Sequence, residues 1–174
     1  MNNIPVIVQE YSPLWEEQFK AEAKVIESIL GRRLVGIHHI GSTAVKGLWA
    51  KPIIDIMPVV RSIATVDECS EAFANAGYEA LGEFGISGRR YFRKGPKKRT
   101  HQVHIFEESN LPAVRRHLAV RDYLRAHKEA AEEYGALKRK LARKFPADIQ
   151  SYMAGKDAFV KDLEKKALSW YLGT

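Results

Sequence analysis

The sequence predicts an α/β fold of the α+β kind: a mixed β-sheet with covering helices, followed by a helical C-terminal half. Three observations predict it. Apolar, β-branched runs of strand length at 35–40 and 53–60 flank a loop rich in Gly, Ser and Thr. Two shorter strand-like runs, Arg90 to Lys94 and Gln102 to Glu107, lie on either side of a Gly95-Pro96 connection, which suggests antiparallel pairing. From Asn110 onward apolar residues recur at helical spacing amid dense charge.

A chain of 174 residues can enclose a real core, and 45% hydrophobic with 28% charged residues is a globular composition rather than a disordered one. Cys69 is the single cysteine, so no internal disulfide can form. The N-terminus lacks the basic-then-apolar pattern of a signal peptide. No apolar run approaches the ~20 residues that span a bilayer. The expected setting is therefore cytoplasmic, with no membrane partner. The net charge of +7 is unevenly spread. Arg89, Arg90, Arg93, Lys94, Lys97, Lys98 and Arg99 are seven cations in one segment without an acid, which suits nucleotide phosphates or nucleic acid. A solvated hairpin tip is the alternative.

The elements follow in order. Val6 to Val8 reads as a short edge strand. Ser12-Pro13 caps a helix running to Leu30, with Leu14, Phe19, Ala23, Ile26 and Leu30 on one stripe and Gly31 ending it. The next strand carries His38 and His39, which face opposite ways and so cannot both serve one metal from regular geometry. A buried His39 supporting the Gly41 turn is expected. Thr65 and Glu68 have the spacing of a capping box, predicting a helix to Ala76, and Tyr78 to Gly82 is a short strand. On the strand after the basic connection, Gln102, His104 and Phe106 share one face, and His101, Val103, Ile105 and Glu107 the other. Helices are predicted at 115–126, 128–145 and 148–170. Neither a repeat nor a linker divides the chain.

One loop attracts the chemistry. Gly41-Ser42 follows a strand and offers N–H groups and a hydroxyl to a phosphate. Asp55 lies inside the following apolar run, where an acid is costly to bury unless a metal, a proton or a donor meets it. Walker A, Gly-x-Gly-x-x-Gly and Gly-x-Ser-x-Gly patterns are absent, and Cys69 has no evident base beside it.

The stretch HIGSTAVKGLWAKPIIDI, residues 39–56, resembles the GrpB family of the nucleotidyltransferase-fold superfamily. The likeness continues through Gly88 to Lys94, Thr100 to His104, Arg121 to Arg125 and Tyr134 to Leu141. It implies a nucleotidyltransferase-like sheet within a single GrpB-type domain over 1–174. In that superfamily the Gly-Ser turn is followed by Asp-x-Asp/Glu on the next strand, and the carboxylates hold divalent metals against nucleotide phosphates. The resemblance thus implies Asp55 as a catalytic and metal-binding group, with magnesium as cofactor. It puts His104 at the position of the third carboxylate, as a second catalytic group. Gly41, Ser42, Thr43, Lys51, Arg90 and Arg121 form the expected phosphate-binding set. Of Arg89 and Arg90, only one can face the site, and Arg90 is the choice. This sequence departs from the pattern at Met57, where the second carboxylate belongs, and at Gln102, where the family pattern has a histidine.

Three classes of function follow. A nucleotidyltransferase-like enzyme would pass a nucleotidyl group to an unidentified acceptor. A non-catalytic module would bind a nucleotide or another phosphate-bearing small molecule. A nucleic-acid-associated protein would use the basic 89–99 segment. A thioether is a poor ligand for a hard cation, so Met57 favours the second class over the first and predicts at most one metal, on Asp55. Asp122, Glu79, Glu83, Glu107 and Glu108 are the acids that could replace the missing one, with Asp122 preferred.

Overall fold

The computed structural model describes residues 4–174. The chain forms two compact units, one of Leu14–Ile40 with Ile53–Arg115, the other of Met1–Pro13, Gly41–Pro52 and Arg116–Thr174.

The first unit holds a five-stranded sheet. Its elements are α1 (Leu14–Leu30), β1 (Leu34–Ile40), β2 (Ile54–Val60), the short α2 (Ser70–Asn75), β3 (Tyr78–Ala80), β4 (Arg89–Lys94) and β5 (His101–Glu107). The strand order is β1-β2-β5-β4-β3. Only β2 and β5 are parallel; the other pairs are antiparallel, which makes the sheet mixed, as expected. Register fixes the two faces. Ile54, Ile56 and Val60 of β2 share a face with Val103 and Ile105 of β5 and Phe92 of β4. This face meets the helices: Phe73 of α2 stacks on Phe92 at 4.1 Å, and Phe19 of α1 stacks on His39 at 4.7 Å. The apolar stripe Trp15, Ala23, Ile26, Leu30 of α1 is buried, which is why this helix forms and where its stability comes from.

Glu22 is the one acid of α1 that is buried, and it is satisfied. Its Oε1 accepts from the Tyr78 hydroxyl and from Lys94 Nζ, both at 2.9 Å, and its Oε2 lies 4.0 Å from His101 Nε2. Burial, reinforced by the Glu22 charge, pushes the Tyr78 phenol above its ordinary range. Burial holds His101 below the ordinary histidine value, against the opposing pull of Glu22.

The second unit is helical. It contains most of α3 (Leu111–Ala126), then α4 (Lys128–Lys144) and α5 (Ile149–Leu172), with the 41–52 loop. Val45 and Leu48 of that loop are buried with Leu124, Ala131, Tyr134 and Leu163 in one core. Val6, Leu141 and Tyr152 form another. Asp148 caps α5 by accepting from the Ser151 N–H at 3.0 Å.

Two local expectations change. Val6 to Val8 is not a strand: the Val6 N–H donates to the Pro146 carbonyl, and only Gln9 makes a bridge, to Ala50. The capping box does not form either. Thr65 Oγ1 donates to the Ser62 carbonyl, Asp67 and Glu68 pair with Arg90 and Arg33, and Ile63–Cys69 is a 3-10 segment before α2 begins at Ser70. A long-range ion pair has taken Glu68, and Thr65 has turned to a carbonyl three residues before it.

Candidate functional site

On the sheet face away from α1 and α2, β2, β5 and β4 present Asp55, His104, Tyr91 and Arg89 in one cluster. Register brings them together. Tyr91 pairs with His104 across β4 and β5, and Asp55 sits one rung away opposite Gln102. His104 Nε2 lies 3.0 Å from Asp55 Oδ1, and His104 Nδ1 lies 3.3 Å from Arg89 Nη1. The His104 and Asp55 side chains are 13% and 27% exposed, so the carboxylate keeps access to a ligand while its partner is largely enclosed.

Arg89 decides the tautomer. A guanidinium only donates, so Nδ1 of His104 must accept. Nε2 then carries the proton and donates to Asp55. In that tautomer the ring satisfies both neighbours, and Asp55 is held in one orientation.

Arg89 itself is buried. Its Nη2 donates to the Phe84 carbonyl at 2.8 Å and its Nε to the Glu83 carbonyl at 3.2 Å. The guanidinium lies 4.7 Å from the Tyr91 ring centroid. Phe84 has a φ of 45°, a left-handed conformation rare outside glycine. This turn aims the Phe84 carbonyl at Arg89, and its ring stacks on Tyr91 at 5.2 Å. Burial, followed by the Asp55 charge, pushes the Tyr91 phenol upward.

Arg90 points the other way. It shares the Phe92 face, as alternation requires, but that is the helix-covered face. There Nε and Nη2 grip Asp67 at 2.7 and 3.1 Å. The cluster with Asp55 is therefore served by Arg89, not by the Arg90 chosen from sequence. The flanking cations are also committed: Arg93 pairs with Glu79 and Lys94 with Glu22. Lys97 and Lys98 are exposed, as expected of the hairpin tip.

Met57 occupies the expected second-carboxylate position, fully buried. Three of the four alternative acids of the sheet unit are engaged: Glu79 with Arg93, Glu83 with the Gly88 N–H, and Glu107 with the Ile63 N–H and Ser109 hydroxyl; the fourth, Glu108, is exposed. Among the described residues no group of three or more metal-type side chains exists.

The helical unit has its own polar cluster, at the Gly41 turn. Gly41 has φ 71° and ψ −168°, a region open essentially to glycine alone, and it leads into the 3-10 turn Ser42–Ala44. Lys138 Nζ donates to Ser42 Oγ and, at 3.0 Å, to the Trp49 carbonyl, while lying 4.0 Å over the Tyr134 ring. Arg125 Nε donates to the Ala44 carbonyl at 2.9 Å. Arg121, chosen from sequence, has its Nε on Asp122 at 2.8 Å. The preferred substitute acid, Asp122, is thereby paired with arginine. Thr43 is buried, and Lys51 lies 5.6 Å over the Tyr152 ring.

Lys138, only 2% exposed, is a second residue, beside Arg89, that sequence reasoning missed. It reads as one cation of the basic end of α4. Its spacing with Tyr134 and Leu141 was the available signal, since i, i+4, i+7 shares the buried stripe.

The likeness to known proteins extends over most of the chain. YqkA of Bacillus subtilis (strain 168) is 47% identical over 163 residues, which are 94% of this chain and 47% of YqkA. The chain thus spans about half the length of that relative. The crystal structure of the conserved protein GrpB from Enterococcus faecalis matches with a TM-score of 0.93 and 51% identity, covering 95% of this chain and 99% of that one. Cid1 in complex with a UTP analog matches at a TM-score of 0.52 and 15% identity, over 77% of this chain and 42% of that one. At that identity the Cid1 likeness shows the fold, which is nucleotidyltransferase-like. The sequence model of the GrpB protein family matches residues 5–166, and the chain belongs to that family.

Proposed function

We propose that this chain binds a nucleotide or a comparable phosphate-bearing small molecule together with one magnesium ion on Asp55. The observation that carries the reading is the line from Arg89 through His104 to Asp55. A buried arginine fixes the imidazole, and the imidazole fixes the carboxylate, on an otherwise apolar strand. Such support is wasted on a solvated acid and suits one that holds a ligand in a set geometry.

The donor set fits one hard cation. Magnesium is commonly held by one or two carboxylates, with phosphate oxygens and water completing its shell. The Nε2 of His104 bears its proton toward Asp55, so it acts as an orienting donor and not as a ligand. Met57 supplies a thioether, so the set does not fit a second magnesium. A bound magnesium would neutralise charge on the ligand's phosphate. Taken by itself, the helical unit offers a separate group that we assign to phosphate contact: the Ser42 hydroxyl, in the loop that also carries Thr43 and Lys51, with the Lys138 ammonium of α4 bonded to it.

Nucleotidyl transfer to an acceptor is the finer reading. Support for it comes from the fold shared with Cid1, described as a poly(U) polymerase with RNA terminal uridylyl transferase activity. The buried Met57 weighs against fast two-metal transfer, and so favours binding over turnover.

A thermal-shift series tests the proposal with ATP, UTP and CoA, each with and without magnesium. Ligand at a hundred times its Kd stabilises by about 2.7 kcal/mol, a shift of roughly 5–10 °C for a chain of this size. The magnesium-dependent part should vanish in Asp55→Asn, and the magnesium-independent part should shrink in Ser42→Ala. Identical shifts in wild type and both variants would refute the assignment.

A further inference from the structure

The charge that sequence places at the hairpin has, in the folded chain, a second and less neutralised centre. Residues 138–144 read Lys-Arg-Lys-Leu-Ala-Arg-Lys, five cations in seven residues. Lys138 is buried, but Arg139, Lys140, Arg143 and Lys144 line one shallow groove of about 530 Å³ together with Ala136. Among the described residues none of these four forms an ion pair. By contrast, Arg90, Arg93 and Lys94 of the hairpin are each matched by an acid.

Helix geometry spreads the four cations over roughly 140° of the circumference, in two pairs about 6 Å apart along the axis. Arg139 is held in place: its guanidinium lies 4.6 Å from the Trp49 ring, and its Nε is buried without a hydrogen-bond partner. Cations at a helix C-terminus also complement the helix dipole, but that effect acts within the last turn and does not call for a groove.

We infer that this face of α4 is a docking surface for the phosphate backbone of double-stranded nucleic acid. An open groove with repeated, unneutralised cations matches a repeating anion better than a single phosphate. The lining contains no aromatic ring, whereas surfaces for single strands combine cations with stacking faces. A membrane fits worse, because an interfacial helix needs a free apolar face, and Tyr134 and Leu141 of α4 are buried in cores. Binding through phosphates alone is independent of base sequence and steeply dependent on salt.

The test is fluorescence anisotropy of a labelled 20-base-pair DNA duplex with the full chain, at salt from about 50 to 200 mM. Four neutralised phosphates give a slope of log K against log salt of about −3.6. Lys140→Gln/Arg143→Gln, both exposed positions, should halve that slope and weaken binding at least tenfold at the lowest salt. Lys97→Gln/Lys98→Gln removes the same charge from the hairpin tip and should leave the slope unchanged. Equal losses in the two double variants would show diffuse electrostatics and overturn the inference. So would tighter binding of the matching single strand, or no binding at 50 mM salt.

Discussion

Arg89 can be replaced by no other cation at its position. It serves three acceptors, two carbonyls and the His104 nitrogen, with a planar fork that a lysine cannot reproduce. Arg89→Lys should cost about 1–3 kcal/mol through acceptors left unsatisfied, read as a lower urea midpoint at unchanged m-value. A midpoint equal to wild type would mean that the fork is not what holds the cluster. Gly41 is the other residue whose identity geometry dictates. Its φ and ψ would strain an alanine by about 1–3 kcal/mol, so Gly41→Ala should destabilise through the backbone alone, read as a lower urea midpoint. The residue scale is also where sequence was least informative. Asp55 stood out in the sequence as a carboxylate within an apolar run, and His104 through the position that the family resemblance gives it; their role toward a ligand is the proposal made above. Arg89 and Arg90 were not separable, because alternation says that they diverge without saying which face the helices cover.

Elements were largely legible, since their signals are local. The antiparallel partnership of β4 and β5, the stop of α1 at Gly31 and the Asp148 cap of α5 all follow from turn and cap chemistry. At Glu68 and at Val6 distant partners displaced the expected local ones, whereas Thr65 turned its hydroxyl back to the Ser62 carbonyl. Asp67 and Glu68 went to arginines on other elements, and the Val6 N–H went to Pro146. Lys138 belongs here too: a charged residue on the buried stripe of α4 is invisible until its acceptors arrive from the 41–52 loop. One element-scale prediction concerns the β4–β5 connection. A Cβ on Gly95, at φ 95°, would lie 2.0 Å from the Lys98 carbonyl oxygen, which is backbone and cannot swing aside. Gly95→Ala should therefore destabilise by about 2–3 kcal/mol, measured by urea unfolding, while the neighbouring Lys97→Ala stays within ~0.5 kcal/mol of wild type.

At the scale of the whole molecule, the chain passes between its two compact units four times, after Pro13, Ile40, Pro52 and Arg115. No linker-like composition marks these crossings, so nothing in the sequence could have announced the division. Among the described residues no helix is long and apolar enough to cross a membrane. Stability should fall on mild acidification. Burial depresses the folded-state pKa of His101, so the unfolded chain takes up that proton first as pH drops through about 6.5. This contribution is complete above that pH and is lost as pH falls toward the folded value. His101→Gln should flatten the urea midpoint between pH 7 and 5, and an unchanged pH profile would show that other groups govern it. The Arg90-paired Asp67 and Arg93-paired Glu79, both held below the usual carboxylate range, lose their contribution only at lower pH, near and below about 4.

The central claim is one magnesium on Asp55, bound together with a phosphate ligand. Its most direct measurement is a calorimetric titration of magnesium into wild type, Asp55→Asn and Met57→Asp, each with and without a non-hydrolysable ATP analogue. The account predicts one ion per wild-type chain, bound tightly only with the nucleotide, none for Asp55→Asn, and a second ion gained by Met57→Asp. Two tightly bound ions in the wild type, or an undiminished ion in Asp55→Asn, would contradict it.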